Sequence, residues 1–487
     1  MPIAAPPLSV ASKISYGIGQ AADGVKIGAF NVFAFFYYTQ VLGLPTSYTG
    51  IAVGISLFFD AVTDPLIGSL SDNWKGRLGR RHPFLYAAPI PLGLFLVALF
   101  SPPALPEFAL FLWLTVFAVL TRIAMTFYYV PHVSLGAELS EDFGERTAIV
   151  AYRFFFGYIG QMATYFIGFT LIFTDALGGQ FYKEGYLPFG VILAVIMAAA
   201  IVTSAVGTQN RIPFLPKAQV RSHAAGAWAL CLRTFAEVRD ALTNYSFRWI
   251  FAGILVVYMM VGVDTALNLH MNTYFWELES RGNLFFFLAT PVGALIGVLF
   301  ARRLNERFDK RPSLLFGAVS WSVCQILPVV LRLLDWFPEN GTSALLWTLI
   351  VIKFLQGLGV VQALVTLSSM IADIVDDHEL TTGRRQEGIF FSAVSFSNKV
   401  TSGVGTMVAG FALTLISWPT GPAIKTAADV PPDTLMWLGL IYGPIVAGFA
   451  VVSVYCLSKY NLTRARHAEI IVELHAARRL REAQPPF

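Results

Sequence analysis

The chain has 487 residues, 56% of them hydrophobic and only 13% charged, with a mean hydropathy of +0.63. Soluble domains carry roughly 25% charged residues, so this balance excludes a water-soluble globular protein and leaves a membrane protein. The net charge of +4 says little, because in a membrane protein the placement of charge matters more than its sum.

The N-terminal stretch MPIAAPPLSVASK lacks a basic region followed by an apolar one. It is not read as a cleavable signal, and the first helix is expected to act as its own insertion signal. A bilayer-spanning helix needs about 20 apolar residues. Runs of that kind predict spans near 15–42, 48–71, 84–101, 107–135, 148–174 and 187–206. A polar stretch at 207–245 follows, then spans near 246–275, 282–301, 312–334, 343–371, 388–417 and 435–458. The expected organisation is a first six-helix bundle at 1–206 and a cytoplasmic middle loop at 207–245. A second bundle at 246–458 and an amphipathic cytoplasmic tail at 459–487 complete it. The tail is expected to be a solvated or membrane-surface helix. With the N-terminus in the cytoplasm, cytoplasmic segments hold 25 of the 34 Lys and Arg, and the external loops hold only Lys183, Arg281, Arg332 and Lys425. Both termini are therefore predicted to be cytoplasmic, in a multi-pass protein of the plasma (inner) membrane. Cys231, Cys324 and Cys456 lie far apart and suggest neither a disulfide framework nor a metal site.

The two halves look related. Gly68 and Pro83 flank the loop after the second span, and Gly297 and Pro312 flank the loop after the eighth, both at an offset of 229. Trp113 and Trp347 stand 234 apart. Parallel six-helix halves are the repeat pattern of the major facilitator fold. The predicted fold class is thus an all-α membrane protein with twelve transmembrane helices in two pseudo-symmetric six-helix bundles.

The second span, TGIAVGISLFFDAVTDPLIGSL, carries Asp60 and Asp64, one helical turn apart on one face. Each would cost about 2.5–3.5 kcal/mol at bilayer depth unless something pairs with it. At the 229-residue offset these positions fall on Ala289 and Gly293, so the fold does not demand the pair, and an ion site is expected in the first half. A hard cation wants several oxygens, which the pair supplies. Pro65 frees the Ala61 carbonyl one turn back, and Thr63 and Thr126 offer hydroxyls. The alternative is a carboxylate pair sharing one proton, or locked to a basic residue for packing. Sodium and proton both remain open, because like charges this close raise one carboxyl pKa. Other charges in spans are Asp23, Lys26, Arg122, Arg153, Asp264, Lys353 and Lys399. Lys399 either partners the carboxylates or holds a substrate group. Asp23 and Asp264, on the first helix of each half, are candidate substrate contacts, although Asp23 could instead pair with Lys26. Tyr129 offers a ring of the kind that stacks on sugars. Arg153 is a binding group or a cytoplasmic gate. The charged loops SDNWKGRLGRRHPF, SEDFGERTAIVAYR and ADIVDDHELTTGRRQEG are read as either a cytoplasmic gate or ordinary solvated charge.

The runs SYGIGQAADGVKIG, FDAVTDPLIG, GRLGRRHPF, YVPHVSL followed by ERTAIVAYR, and ADIVDD with a lysine 26 residues after its first Asp resemble the glycoside–pentoside–hexuronide:cation symporter family. The resemblance is nearly end to end. It implies that Asp60 and Asp64 are a cation-binding pair, Thr126 a hydroxyl ligand and Lys399 the neighbouring lysine. Where the family has an asparagine beside the pair, this chain has Thr63, which leaves the choice of ion open. The sugar side departs from the melibiose type: its carboxylate on the fourth helix is Tyr129 here, its aromatic neighbour is Val133, and the carboxylate of the first helix stands one position early, as Asp23. Animal lysolipid:sodium symporters also carry the D-x-x-x-D-P pair.

The expected function is a symporter coupled to Na+ or H+, importing a sugar or glycoside by alternating access. A sodium-coupled lysolipid or other amphiphile transporter is the runner-up, and a transporter-like sensor a distant third. No enzyme is expected, since His132 and His270 are isolated and Asp60 and Asp64 share one helix. No cofactor beyond the coupling ion is expected. The expected partners are a small-molecule substrate and the lipid bilayer, with no nucleic acid, and a monomer is the expected unit.

Overall fold

The structure is a computed structural model that describes residues 8–140, 142–215, 238–383 and 386–482. Cys231, most of the middle loop, and Arg384 and Arg385 of the loop after the tenth span lie outside the described residues. Twelve long helices follow one another: α1 (Val10–Gly28, continued by π-turns at Ala29–Ala34 and Tyr37–Val41), α2 (Thr46–Asn73), α3 (His82–Leu99), α4 (Glu107–Glu138), α5 (Phe143–Phe166) and α6 (Tyr186–Thr208). The second half repeats the series as α7 (Tyr245–His270, continued at Met271–Phe275), α8 (Ser280–Arg307), α9 (Lys310–Leu333), α10 (Ser343–Thr382), α11 (Glu387–Leu415) and α12 (Pro432–Leu457). A tail helix, α13, spans Arg464–Glu482.

Ten of the described helices are long and apolar enough to cross a membrane by length and composition, and α1 and α11 complete the twelve. These two fall short because polar side chains interrupt them, Gln20, Asp23 and Lys26 in α1 and Asn398, Lys399 and Ser402 in α11. In lipid such a helix must turn its polar groups to the interior, which is where both lie. Local signals set several starts: the Asp142 side chain accepts from Glu145 N at 2.8 Å to open α5, and Asn244 from Phe247 N at 3.0 Å to open α7. The third span is broken, with two helical pieces meeting at Ala88 and Pro89.

The packing repeats every six helices. In the first half α1 packs on α5 and α6, α2 on α4, and α3 on α4 and α6. In the second, α7 packs on α11 and α12, α8 on α10, and α9 on α10 and α12. The closest approaches repeat too. A Cβ at Gly24 would stand 1.9 Å from the Gly157 carbonyl oxygen on α5, and one at Gly262 would stand 2.1 Å from the Ser402 oxygen on α11. Small residues let such backbones touch, which replaces the hydrophobic drive that lipid removes.

The halves meet through α2 on α11 and α5 on α8, and the contact lies toward one end. At the end away from the termini, Thr46 Oγ1 donates to the Gly410 carbonyl at 3.0 Å, Gln180 Nε2 to Thr273 Oγ1 at 2.9 Å, and Gly421 N to the Thr39 carbonyl at 3.0 Å. Thr39, Gln40 and His270 are wholly buried there, against Phe36, Tyr274 and Trp418. At the end that carries the termini, every ion pair among the described residues stays within one half. Arg80 and Arg81 reach Glu138 at 2.8 and 2.7 Å, Arg81 reaches Asp72 at 2.5 Å, and Lys310 reaches Asp373 at 2.7 Å. Among the described residues the hydrogen bonds between the halves gather at the far end. The tail helix is neither free nor laid on a surface of its own: Ile470 and Leu474 are buried in the second half's core and His467 Nε2 lies 3.1 Å from Asp376.

Candidate ion and substrate site

Midway along α2 the carboxylates of Asp60 and Asp64 point into the space between the halves, where α4 and α11 bring three polar groups to them. Thr126 Oγ1 donates to Asp60 at 2.9 Å and to Asp64 at 3.2 Å. Lys399 Nζ, from the other half, stands 2.5 Å from Asp64 Oδ2 and 3.2 Å from Asp60 Oδ1. Arg122, one turn before Thr126, donates to Ser56 Oγ at 2.8 Å and lies 3.5 Å from Asp60 Oδ2, with its guanidinium over the Phe30 ring. Of the proposed ligands, Thr63 is not brought in, since its hydroxyl donates to the Asp60 backbone carbonyl at 3.3 Å. A residue that bonds back into its own helix turn is held away from the face its neighbours share.

These groups line a cavity of about 410 Å³ together with Asp23, Lys26 and Tyr129. Asp23 and Lys26 pair at 2.8 Å, and Gln20 Nε2 donates to the other oxygen of Asp23 at 3.0 Å. Three carboxylates therefore face three basic groups. A second lobe of about 210 Å³ also lies between the halves, lined by Asn31, Tyr158 and Gln161 of the first and by Asn268, Trp321 and Lys353 of the second. Asn31 and Thr265 line both lobes. Asp264 lines only this second lobe, where it accepts from Gln325 Nε2 at 2.7 Å and from the Tyr442 hydroxyl. Arg153 lines neither lobe, and its guanidinium packs over Phe154.

The donor set around Asp60 and Asp64 is all oxygen, which suits a hard monovalent cation or a proton. Lys399 is the one cation that reaches them across the halves, and no other ion pair joins the halves among the described residues. Sequence reading assigned no role to Arg122, although its spacing of four from Thr126 places it on the same helix face. Lys353, Gln325 and Tyr442 were also missed. They come from three different helices, and only the tertiary fold gathers them.

Residues 15–464 match the family described as MFS/sugar transport protein. YagG of Escherichia coli strain K12, provisionally named a glycoside/cation symporter, is 26% identical, over 94% of this chain and 93% of its own. The isoprimeverose transporter of Lactiplantibacillus pentosus is 22% identical, over 82% of this chain and 79% of its own. A crystal structure of the nucleoside transporter NupG superposes with a TM-score of 0.61 at 14% identity, covering 93% of this chain and 99% of that one, which is a likeness of fold. With a matching family across nearly the whole chain and the twelve-helix fold in place, the chain belongs to the MFS/sugar transport protein family, among the glycoside–pentoside–hexuronide:cation symporters, and is a multi-pass membrane transporter, not an enzyme.

Proposed function

We propose that this chain is a symporter that couples entry of Na+ or H+ to entry of a sugar or glycoside by alternating access. Asp60, Asp64 and Thr126 are the ion ligands, and the cavity between the halves is the substrate site. The observation that carries the reading is the position of Lys399, whose ammonium lies between the two carboxylates from the opposite half. Two carboxylates left unpaired at that depth are too costly to persist. The pair therefore holds either the lysine or an entering cation. Exchange of one for the other frees α11 from α2 at mid-membrane, which gives the ion a differential effect on the two halves' arrangement. Coupling requires no more than that difference.

A sugar is favoured over an amphiphile by the lining of the second lobe, where Asn31, Gln161, Asn268 and Gln356 present amides and Trp321 presents a ring. Amide and hydroxyl groups with an aromatic face suit a polyhydroxyl ring better than an acyl chain. The excess of basic residues on the terminus side supports cytoplasmic termini, and in that orientation the end joined by hydrogen bonds between the halves faces outward.

The test is thermal stability of the purified protein in Na+, Li+ and across pH, for the wild type and Asp64→Asn. A ligand that binds only the folded state raises stability by mass action. A sodium-dependent rise lost in Asp64→Asn supports sodium coupling, and a pH dependence lost in it supports proton coupling. If neither is seen, the symport reading fails. Competition of uptake by sugars and by lysolipids decides the substrate class.

A further inference from the structure

The two carboxylates of α2 meet two resident cations that differ in kind. Arg122 of α4 is 6% exposed and lies 3.5 Å from Asp60 Oδ2. It also donates its Nε–H to Ser56 Oγ at 2.8 Å and stands over the Phe30 ring at 4.7 Å. All three partners belong to its own half. A guanidinium does not lose its charge, and its planar fork is fixed by the groups it touches. Lys399 comes from the opposite half on a flexible stem, and its side chain is 21% exposed. Arg122 therefore stays with Asp60 however the halves stand, and Lys399 is the cation that can leave.

The charges set what an entering ion must do. Asp23 and Lys26 line the same cavity but are paired with each other at 2.8 Å. Asp60 and Asp64 are then balanced by Arg122 and Lys399. A sodium ion or a proton added to that balance puts three positive charges on two carboxylates, which a low dielectric penalises. One resident cation has to step aside, and Lys399 is the one able to do so. Without Arg122 the count changes. Two carboxylates would then accept both the ion and Lys399, and the ion would bind with α11 still tied to α2.

We propose that Arg122 is a positioning residue that makes the coupling ion and Lys399 mutually exclusive at the carboxylate pair. The proposal rests on the symport reading and adds the residue that enforces its coupling. Arg122 acts through Asp60, as a fixed counter-charge, and need not touch the ion. Its removal should tighten ion binding and at the same time disconnect that binding from the seam between α2 and α11. An arginine that served packing alone would give no such split, since its loss would loosen the site and weaken the ion.

The experiment takes two readings from the full chain. One is the concentration of Na+, of Li+ or of acid that stabilises it against heat. The other is the labelling rate of a Ser395→Cys variant above that of the parent chain, always compared at the same pH. Ser395 stands one turn before Lys399 on α11 and lines the same cavity, so its accessibility follows the release of α11 from α2. With Arg122 in place, the ion that stabilises the protein should change the labelling rate severalfold. Arg122→Met should be stabilised by that ion at about tenfold lower concentration, while its labelling no longer responds. Arg122→Lys keeps the charge and should match the wild type in both readings. Unchanged or weaker ion binding in a folded Arg122→Met overturns the proposal, as does a labelling response that survives in it. Should Arg122→Met not fold, Arg122→Lys still decides: wild-type behaviour supports the proposal, and ion binding without a labelling response overturns it. A wild type that is stabilised by an ion with no change in labelling also overturns it and leaves ion binding standing. A wild type that responds to none of the three ions sinks the symport reading itself.

Discussion

Asp60 and Asp64 share a helix face and differ in environment. The Asp60 side chain is 6% exposed and takes contacts from Thr126, Arg122 and Lys399, whereas Asp64 is 23% exposed and rests mainly on Lys399. On the proposed exchange, Asp60 is the anchored carboxylate and Asp64 the one that exchanges partners. Asp60→Asn leaves the buried Arg122 without its counter-charge and is expected to cost about 3–5 kcal/mol of stability. Asp64→Asn leaves Lys399 next to the remaining Asp60 and should cost markedly less while abolishing the response to the coupling ion. Thermal unfolding of the two variants, with and without sodium, separates them; equal destabilisation would contradict the division of roles. Lys399→Met should enlarge the stabilisation by sodium, because the ion no longer competes with an ammonium, and a smaller sodium effect in that variant would remove the exchange mechanism. Asp60, Asp64 and Lys399 were legible in the sequence because a charge in an apolar run stands out, and the family resemblance pointed to Thr126. Arg122 was legible by the same rule and went unassigned. The second lobe was not legible, since Asp264, Gln325, Lys353 and Tyr442 sit on four helices and no periodicity relates them.

Among the elements, the α2–α11 seam decides which end is shut. Its backbones approach closely at Thr46 and Gly410 and again at Gly54 and Gly403. A side chain at Gly410 would bring a Cβ to 2.4 Å from the Thr46 oxygen. Gly410→Leu should therefore open this end, at an overpacking cost of about 1–3 kcal/mol. The reagent accessibility of a cysteine introduced at Asn31, which lines both lobes, should then fall from the terminus side by roughly an order of magnitude. Unchanged labelling would mean that the seam is compliant. A second brace is the loop between α11 and α12. It reaches Tyr274 Oη through the Ile424 carbonyl at 2.8 Å and is closed on itself by Asp429, which accepts from Thr426 N at 2.8 Å and Lys425 N at 3.0 Å. Those backbone N–H groups, with the Thr426 hydroxyl, hold the Asp429 carboxyl below the usual carboxylate range. A depressed folded pKa means that the stabilisation is complete above the unfolded value, about 3.9, and is lost as pH falls through the folded one. Hydrogen exchange of residues 418–426 should accelerate only in acid, and Asp429→Asn should bring the same acceleration to neutral pH. The helix positions themselves were readable from apolar length. The docking of the tail was not, because it depends on what the helix packs against, and the break at Ala88 went unread although Pro89 marks it.

For the whole molecule, the described polar contacts between the halves are of two kinds, a buried polar and aromatic cluster at the far end and one lysine at mid-membrane, and none of the described ion pairs joins them at the terminus end. That distribution makes the mid-membrane lysine a fulcrum. Contacts on one side of it must break for the halves to rock. On the proposed symport, interfaces at the two ends would convert the replacement of an ammonium by a sodium ion or a proton into a change of access. Thr46 and Thr414 face each other across the far end, with 2.9 Å between their hydroxyl oxygens. A disulfide between Thr46→Cys and Thr414→Cys would pin that end shut. Oxidation should then stop uptake into proteoliposomes and a reductant should restore it. The pinned protein should still bind the coupling ion from the terminus end, read as an unchanged stabilisation by sodium or by acid. Loss of both transport and ion response would mean that the disulfide distorts the site. Undiminished uptake in the fully oxidised protein would mean that the far end never opens in the cycle, and the rocking of one half against the other would have to be abandoned.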